Sequence, residues 1–203
     1  RLASIMKLPV IYIFTHDSIF VGEDGPTHQP IEHKVALECI PGVTVLRPAD
    51  ANEVTAAWQV ALENKTGPTA LLLSRQNLTT LEGSNNVANG AYVIKEESGS
   101  EIDLMFMASG SEVKHCLDAA EVLEAQGKSV RVVSVPSTKI FEEQSAAYKE
   151  SVMPLAARKR FAIDYGSSLS WNKYTGLDGI ALTLDRFGES GPGGQVAEHF
   201  GFT

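Results

Sequence analysis

The chain has 203 residues, enough for one large or two small domains with real interiors, and 43% of them are apolar, which argues against disorder. Its 25 acids outnumber 17 Lys and Arg for a net charge of -8, excluding a general nucleic-acid or anionic-membrane surface, so any anionic ligand must meet a local basic site. Cys39 and Cys116 stand far apart without CxxC or Cys/His spacing, which excludes a disulfide framework or zinc knuckle, and no apolar run nears the roughly 20 residues of a membrane span.

The first seven residues, Arg1-Leu2-Ala3-Ser4-Ile5-Met6-Lys7, read as the end of an amphipathic helix, and with Arg in first place we expect a piece of a longer protein. The cysteine usage fits a reducing, cytoplasmic setting, and no charged-then-apolar leader opens the sequence. An apolar strand at 10–14 runs into a polar stretch, 15–30. A helix is expected from Pro30, a favoured first-turn proline, through Val35 and Leu37 to Pro41-Gly42. After a strand at 43–46, Asp50-Ala51-Asn52-Glu53 has the capping-box form, and Val54, Trp58, Ala61 and Leu62 recur at helical spacing as a core stripe until Gly67. With a strand at 70–73 this makes a βαβ unit.

Residues 79–90 are polar and turn-rich, and the domain junction is placed there, dividing the chain into 1–85 and 86–203. A second βαβ unit starts with a strand at 104–108. Ser109 and Glu112 form another capping box, Val113, Leu117, Ala120 and Leu123 make the buried stripe, Gly127 ends the helix, and 130–135 is the return strand. Ser109-Gly110-Ser111 also has the form of a phosphate cradle, but the complete capping box and the lack of a basic neighbour favour a helix cap. Strands at 161–164 and 180–184 follow, with Trp171 and Tyr174 between them as packing residues. The alternation predicts an α/β fold with mostly parallel sheets.

The polar stretch 15–30 lies after a strand, at the carboxyl edge of a parallel sheet, where open α/β folds build their sites. It holds two histidines and several acids, with Gly22 and Gly25 free to take positive φ. His28 is expected just before a helix amino end, where the dipole disfavours an imidazolium and a proton can be traded near neutrality. Acid/base work, polar recognition and plain capping or solvation are all open to these residues. A metal site from His16, Asp17, Asp24 and His28 matches none of the usual ligand spacings.

Thr15-His16-Asp17-Ser18 followed by Gly22-Glu23-Asp24-Gly25-Pro26-Thr27-His28-Gln29-Pro30 resembles the transketolase family around its pyrimidine-binding domain. Ser74-Arg75-Gln76-Asn77, Ala108-Ser109-Gly110-Ser111-Glu112-Val113, Arg131-Val132-Val133-Ser134, Phe187-Gly188-Glu189-Ser190 and Phe200-Gly201-Phe202-Thr203 extend the resemblance, in order, over essentially the whole chain. It implies two three-layer α/β/α units: an incomplete pyrimidine-binding domain and a transketolase C-terminal domain, together about the last third of such an enzyme.

The resemblance further implies transfer of a two-carbon ketol unit from a ketose phosphate to an aldose phosphate, in the pentose phosphate pathway, by a cytoplasmic homodimer. Thiamine diphosphate and a divalent metal, Mg or Ca, would serve as cofactors, with no nucleic-acid or membrane partner. His28 would stand beside the cofactor aminopyrimidine and the reacting ketol oxygen as a proton relay. Asp24 would accept a substrate hydroxyl, and His16 and Arg75 would hold the distal phosphate, a task suited to the planar guanidinium fork. The main ligands of cofactor and metal are missing here, so the isolated polypeptide is expected to be inactive. Phe20 stands where many relatives carry a smaller residue and is expected to narrow the substrate channel. Asp164, where Glu is common, and Gly191-Pro192-Gly193-Gly194 are expected away from the chemistry. The rival readings are a related thiamine enzyme, such as a deoxyxylulose phosphate synthase or a keto-acid dehydrogenase beta chain, and a noncatalytic binding or assembly module.

Overall fold

A computed structural model describes residues 1–202. A short helix α1 (Leu2–Ile5) precedes β1 (Ile11–Thr15), α2 (His33–Glu38), β2 (Thr44–Leu46), α3 (Ala51–Glu63) and β3 (Thr69–Leu73). The three strands form one parallel sheet in the order β1-β3-β2. Because successive strand side chains point to opposite faces, the sheet buries apolar residues on both sides. Val45, Ala70 and Leu72 pack towards Leu37 and Ile40 beside α2. Leu46 and Leu71 pack under α3 against Ala57 and the half-buried Trp58.

The second sheet contains β4 (Tyr92–Lys95), β5 (Leu104–Ala108), β6 (Val130–Ser134), β7 (Arg160–Ile163) and β8 (Ile180–Leu182), in the order β4-β6-β5-β7-β8. All its pairings are parallel except that of β4 with β6. Phe106 and Ala108 face α4 (Glu112–Glu124) through Val113, Cys116 and Ala120. Met105 and Met107 face the other way, towards α5 (Thr138–Glu142), α6 (Ala146–Val152) and α7 (Asn172–Thr175), whose Phe141, Val152 and Tyr174 share their core. Three layers result. Trp171 and Tyr174 are buried packing residues, as expected. A last helix, α8 (Gly193–His199), lies against residues 19–27 of the first unit.

Four sequence expectations change. The antiparallel strand β4 is absent from the predicted set, because Tyr92-Val93-Ile94-Lys95 is too short to show alternation. The helix expected at Pro30 starts at His33: the carbonyl of Ile31 accepts from Ser167 N–H at 3.2 Å, and Glu32 supplies the first helical acceptor, for Ala36 N–H. Leu62, read as core, is 58% exposed, whereas Glu53, Ala57 and Ala61 form the buried stripe. Glu112 is the first residue of α4 and makes no capping box with Ser109, since its carboxylate is held by Arg47. Of the Phe200-Gly201-Phe202-Thr203 motif, Thr203 lies outside the described residues.

Candidate functional site

In the parallel register Thr15 pairs with Leu73, so His16 leaves β1 and Arg75 leaves β3 at the same carboxyl edge. Residues 19–27 then form a distorted 3-10 segment, broken at Gly22 (φ 84°) and Gly25 (φ 75°), conformations that glycine adopts without steric cost. Asp24 stands exposed between these breaks. His28 follows the carboxyl end of the segment: its N–H donates to Gly25 O at 3.0 Å, and its Nδ1 lies 2.9 Å from Thr27 Oγ1. The helix amino end expected beside it is five residues further on.

A cavity of about 330 Å³ opens below His16 and His28, with Phe14, Leu37, Ile40 and Leu72 among its apolar walls. The structure therefore brings the two histidines together. Asp24 and Arg75 are exposed and are not part of this lining. Phe20 does not narrow the cavity. It packs on Tyr165, ring centroids 5.3 Å apart, and under Gly193, where a Cβ would stand 2.7 Å from Phe20 Cδ1.

Asp17, Arg47, Lys34 and Asp164 also line the cavity; sequence reading weighs Asp17 only as a metal ligand and gives the other three no place at the site. Arg47 is fully buried. Its Nε meets Asp17 Oδ2 at 2.8 Å, and Nη1 and Nη2 meet the two oxygens of Glu112 at 2.8 and 2.9 Å. Nη1 also donates to Ser109 O at 2.8 Å, so the segment read as lacking a basic neighbour has one. At Gly110 a Cβ would come within 2.6 Å of the guanidinium carbon, which is why this turn carries glycine. Lys34 Nζ bonds Asp164 Oδ2 at 2.6 Å and lies 4.8 Å from the Trp171 ring centroid. Asp164, expected far from the site, thus belongs to its wall.

Burial alone would lower the Arg47 pKa, but Glu112, Asp17 and Asp164 together hold it above its ordinary value. Burial alone would raise Asp164, but Lys34 and Arg47 hold it below its ordinary value. Nδ1 of His16 and Oδ1 of Asp17 are buried without a partner among the described residues. The available signal was position: Asp17, Arg47 and Asp164 each stand one or two residues beyond a strand's carboxyl end, and the two sheets face each other there. Such an arrangement offers imidazoles for proton transfer above an apolar cavity, with a rigid charged wall behind them.

Residues 90–203, more than half of the chain, match the family model described as the transketolase-like TK C-terminal domain. The chain belongs to the transketolase family. Residues 1–80 match the transketolase pyrimidine-binding domain. A transketolase of Halalkalibacterium halodurans is 55% identical over the whole chain, which spans 31% of that enzyme's length. The transketolase structure from Leishmania mexicana superposes with a TM-score of 0.92 at 40% identity, over 100% of this chain and 29% of that one. A transketolase of Pichia stipitis in complex with sedoheptulose-7-phosphate gives 0.91 at 39% identity, with the same coverage. The chain therefore spans about a third of the transketolases it resembles.

Proposed function

We propose that this chain supplies the carboxyl-edge part of a transketolase active site, in which a two-carbon ketol unit passes from a ketose phosphate to an aldose phosphate. The observation that carries this reading is the meeting of His16 and His28 on one cavity, at the edge from which Arg75 also emerges. In this reading His28 holds and moves a proton at the reacting ketol oxygen, and Asp24 accepts a hydrogen bond from a sugar hydroxyl. His16 and Arg75 take the distal phosphate, which aligns the reacting carbon. The exposure of Asp24 and Arg75 suits groups that meet a long sugar chain outside the cavity.

When bound, thiamine diphosphate supplies the nucleophilic carbon that carries the two-carbon unit. The apolar walls of the cavity and the imidazole of His28 on its lining suit the aminopyrimidine ring. Among the described residues no three His, Cys, Asp or Glu side chains are grouped to hold a metal ion. In this reading the divalent metal, Mg or Ca, and the diphosphate it binds are held by residues outside this chain. The reading includes a domain boundary near residues 85 and 86, a homodimeric cytoplasmic enzyme, and no catalysis by these 203 residues alone. No described helix is long and apolar enough to cross a membrane.

The test is His28→Ala in the full-length enzyme carrying this sequence. Loss of a positioned acid/base group should lower kcat by about 10²–10⁴-fold. A variant turning over at the original rate would end the assignment.

A further inference from the structure

The motif Phe187-Gly188-Glu189-Ser190 and the glycine-rich run after it have no role in the reading above, yet they pack against the loop that carries Asp24 and His28. Gln29 is 2% exposed, and the two hydrogens of its Nε2 are shared among three carbonyls within hydrogen-bond distance: Ile19 and Gly22 of its own loop, at 3.2 and 2.9 Å, and Glu189 of the second unit, at 2.9 Å. One amide therefore fixes both ends of residues 19–28 to the second unit. A second tie comes from Ser190, whose Oγ donates to Glu23 O at 2.5 Å.

Backbone meets backbone along this seam. A Cβ on Gly22 would lie 3.4 Å from Gly191 O, one on Gly25 would lie 3.2 Å from Ser190 Cβ, and one on Gly188 would overlap Gln29 Oε1. The glycines on both sides are what allow the approach. Ile19 is fully buried beneath it, in a cluster with Tyr165, Leu184 and Val196. Two side chains, several glycines and one apolar cluster serve the same contact.

We propose that residues 187–193 of the second unit clamp the loop 18–30, and that Gln29 is the positioning residue that sets Asp24 and His28 for sugar chemistry. This rests on the proposed function for the roles of Asp24 and His28, but the clamp itself can be read without activity. It also assigns a task to the second unit, whose own sheet edge lines the cavity through Asp164 and Gly166.

The experiment compares Gln29→Met and Ser190→Ala with the original full-length enzyme, by amide hydrogen exchange and by steady-state kinetics. Met keeps the volume and removes the donors. Exchange of residues 19–28 should rise about five- to tenfold in Gln29→Met, the effect of one or two lost hydrogen bonds, and less in Ser190→Ala, while residues 69–77 stay unchanged. Turnover should fall with every substrate, while the preference for phosphorylated over unphosphorylated sugars, assigned to His16 and Arg75, is kept. If Gln29→Met does not fold, Ser190→Ala carries the same test, because that side chain is exposed. Unchanged exchange at 19–28 or an equal rise at 69–77 would overturn the clamp, and looser exchange with unchanged turnover would overturn the positioning role of Gln29. His28→Ala measured alongside separates the two ideas: an active His28→Ala enzyme refutes the role of His28, while the exchange data still decide the clamp.

Discussion

Arg47 is the residue on which the site wall turns. Its guanidinium is buried with Asp17, Glu112 and Asp164, and Lys34 is the second cation of the group. Two cations thus face three acids, so removing one cation leaves buried charge without compensation. Arg47→Ala should cost about 3–5 kcal/mol of unfolding free energy, the usual effect of breaking one partner of a buried pair. Chemical denaturation would check it, and a loss under 1 kcal/mol would show the cluster to be solvated.

Asp164 gives the pH dependence. In the unfolded chain it takes its ordinary value of 3.8; in the fold, against the opposing effect of burial, Lys34 and Arg47 hold it lower. The stabilisation is full above 3.8 and is lost as pH falls through the lowered folded value. Lys34→Met should therefore move the acid-unfolding midpoint upward. An unmoved midpoint would contradict the pairing.

At the scale of elements, what was legible in the sequence was what is local. Asp50 caps α3 as its spacing predicts, accepting from Glu53 N–H at 2.9 Å. The strands at both carboxyl edges were found within one or two residues, because β-rich apolar runs bounded by turns announce themselves. Glu53 and Glu112 were read only as caps, because most of the donors to them come from far along the chain. Glu53 takes hydrogen bonds from Ala49 N–H at 2.6 Å, Tyr92 Oη at 2.7 Å and Ser134 Oγ at 2.5 Å, joining α3 to β4 and β6. Glu112 meets Arg47, 65 residues earlier. The motif that resembles transketolases located His16 and His28, but the charged wall could not be seen before the two sheet edges were set facing each other.

The Glu53 contacts also make a prediction about how the two sheets are joined. A glutamine there keeps the shape but turns an N–H₂ towards one of three donors. Glu53→Gln should cost about 1–3 kcal/mol, the price of one buried unsatisfied group. Thermal unfolding that loses both sheets in one transition at lower temperature would agree, and an unchanged midpoint would contradict it.

On the scale of the molecule, two α/β units set their carboxyl edges against each other, and the first carries the proposed chemistry while the second supplies its wall and its clamp. The 31% of a transketolase's length seen here is read as a frame for sugar recognition that needs cofactor-binding residues from elsewhere. The most direct measurement is Arg75→Ala in the full-length enzyme, assayed with phosphorylated and unphosphorylated sugars side by side. The account predicts a KM for phosphorylated sugars raised about 10- to 100-fold, the worth of a charge-assisted hydrogen-bond pair, with unphosphorylated sugars unaffected. Equal losses with both kinds of sugar would contradict it.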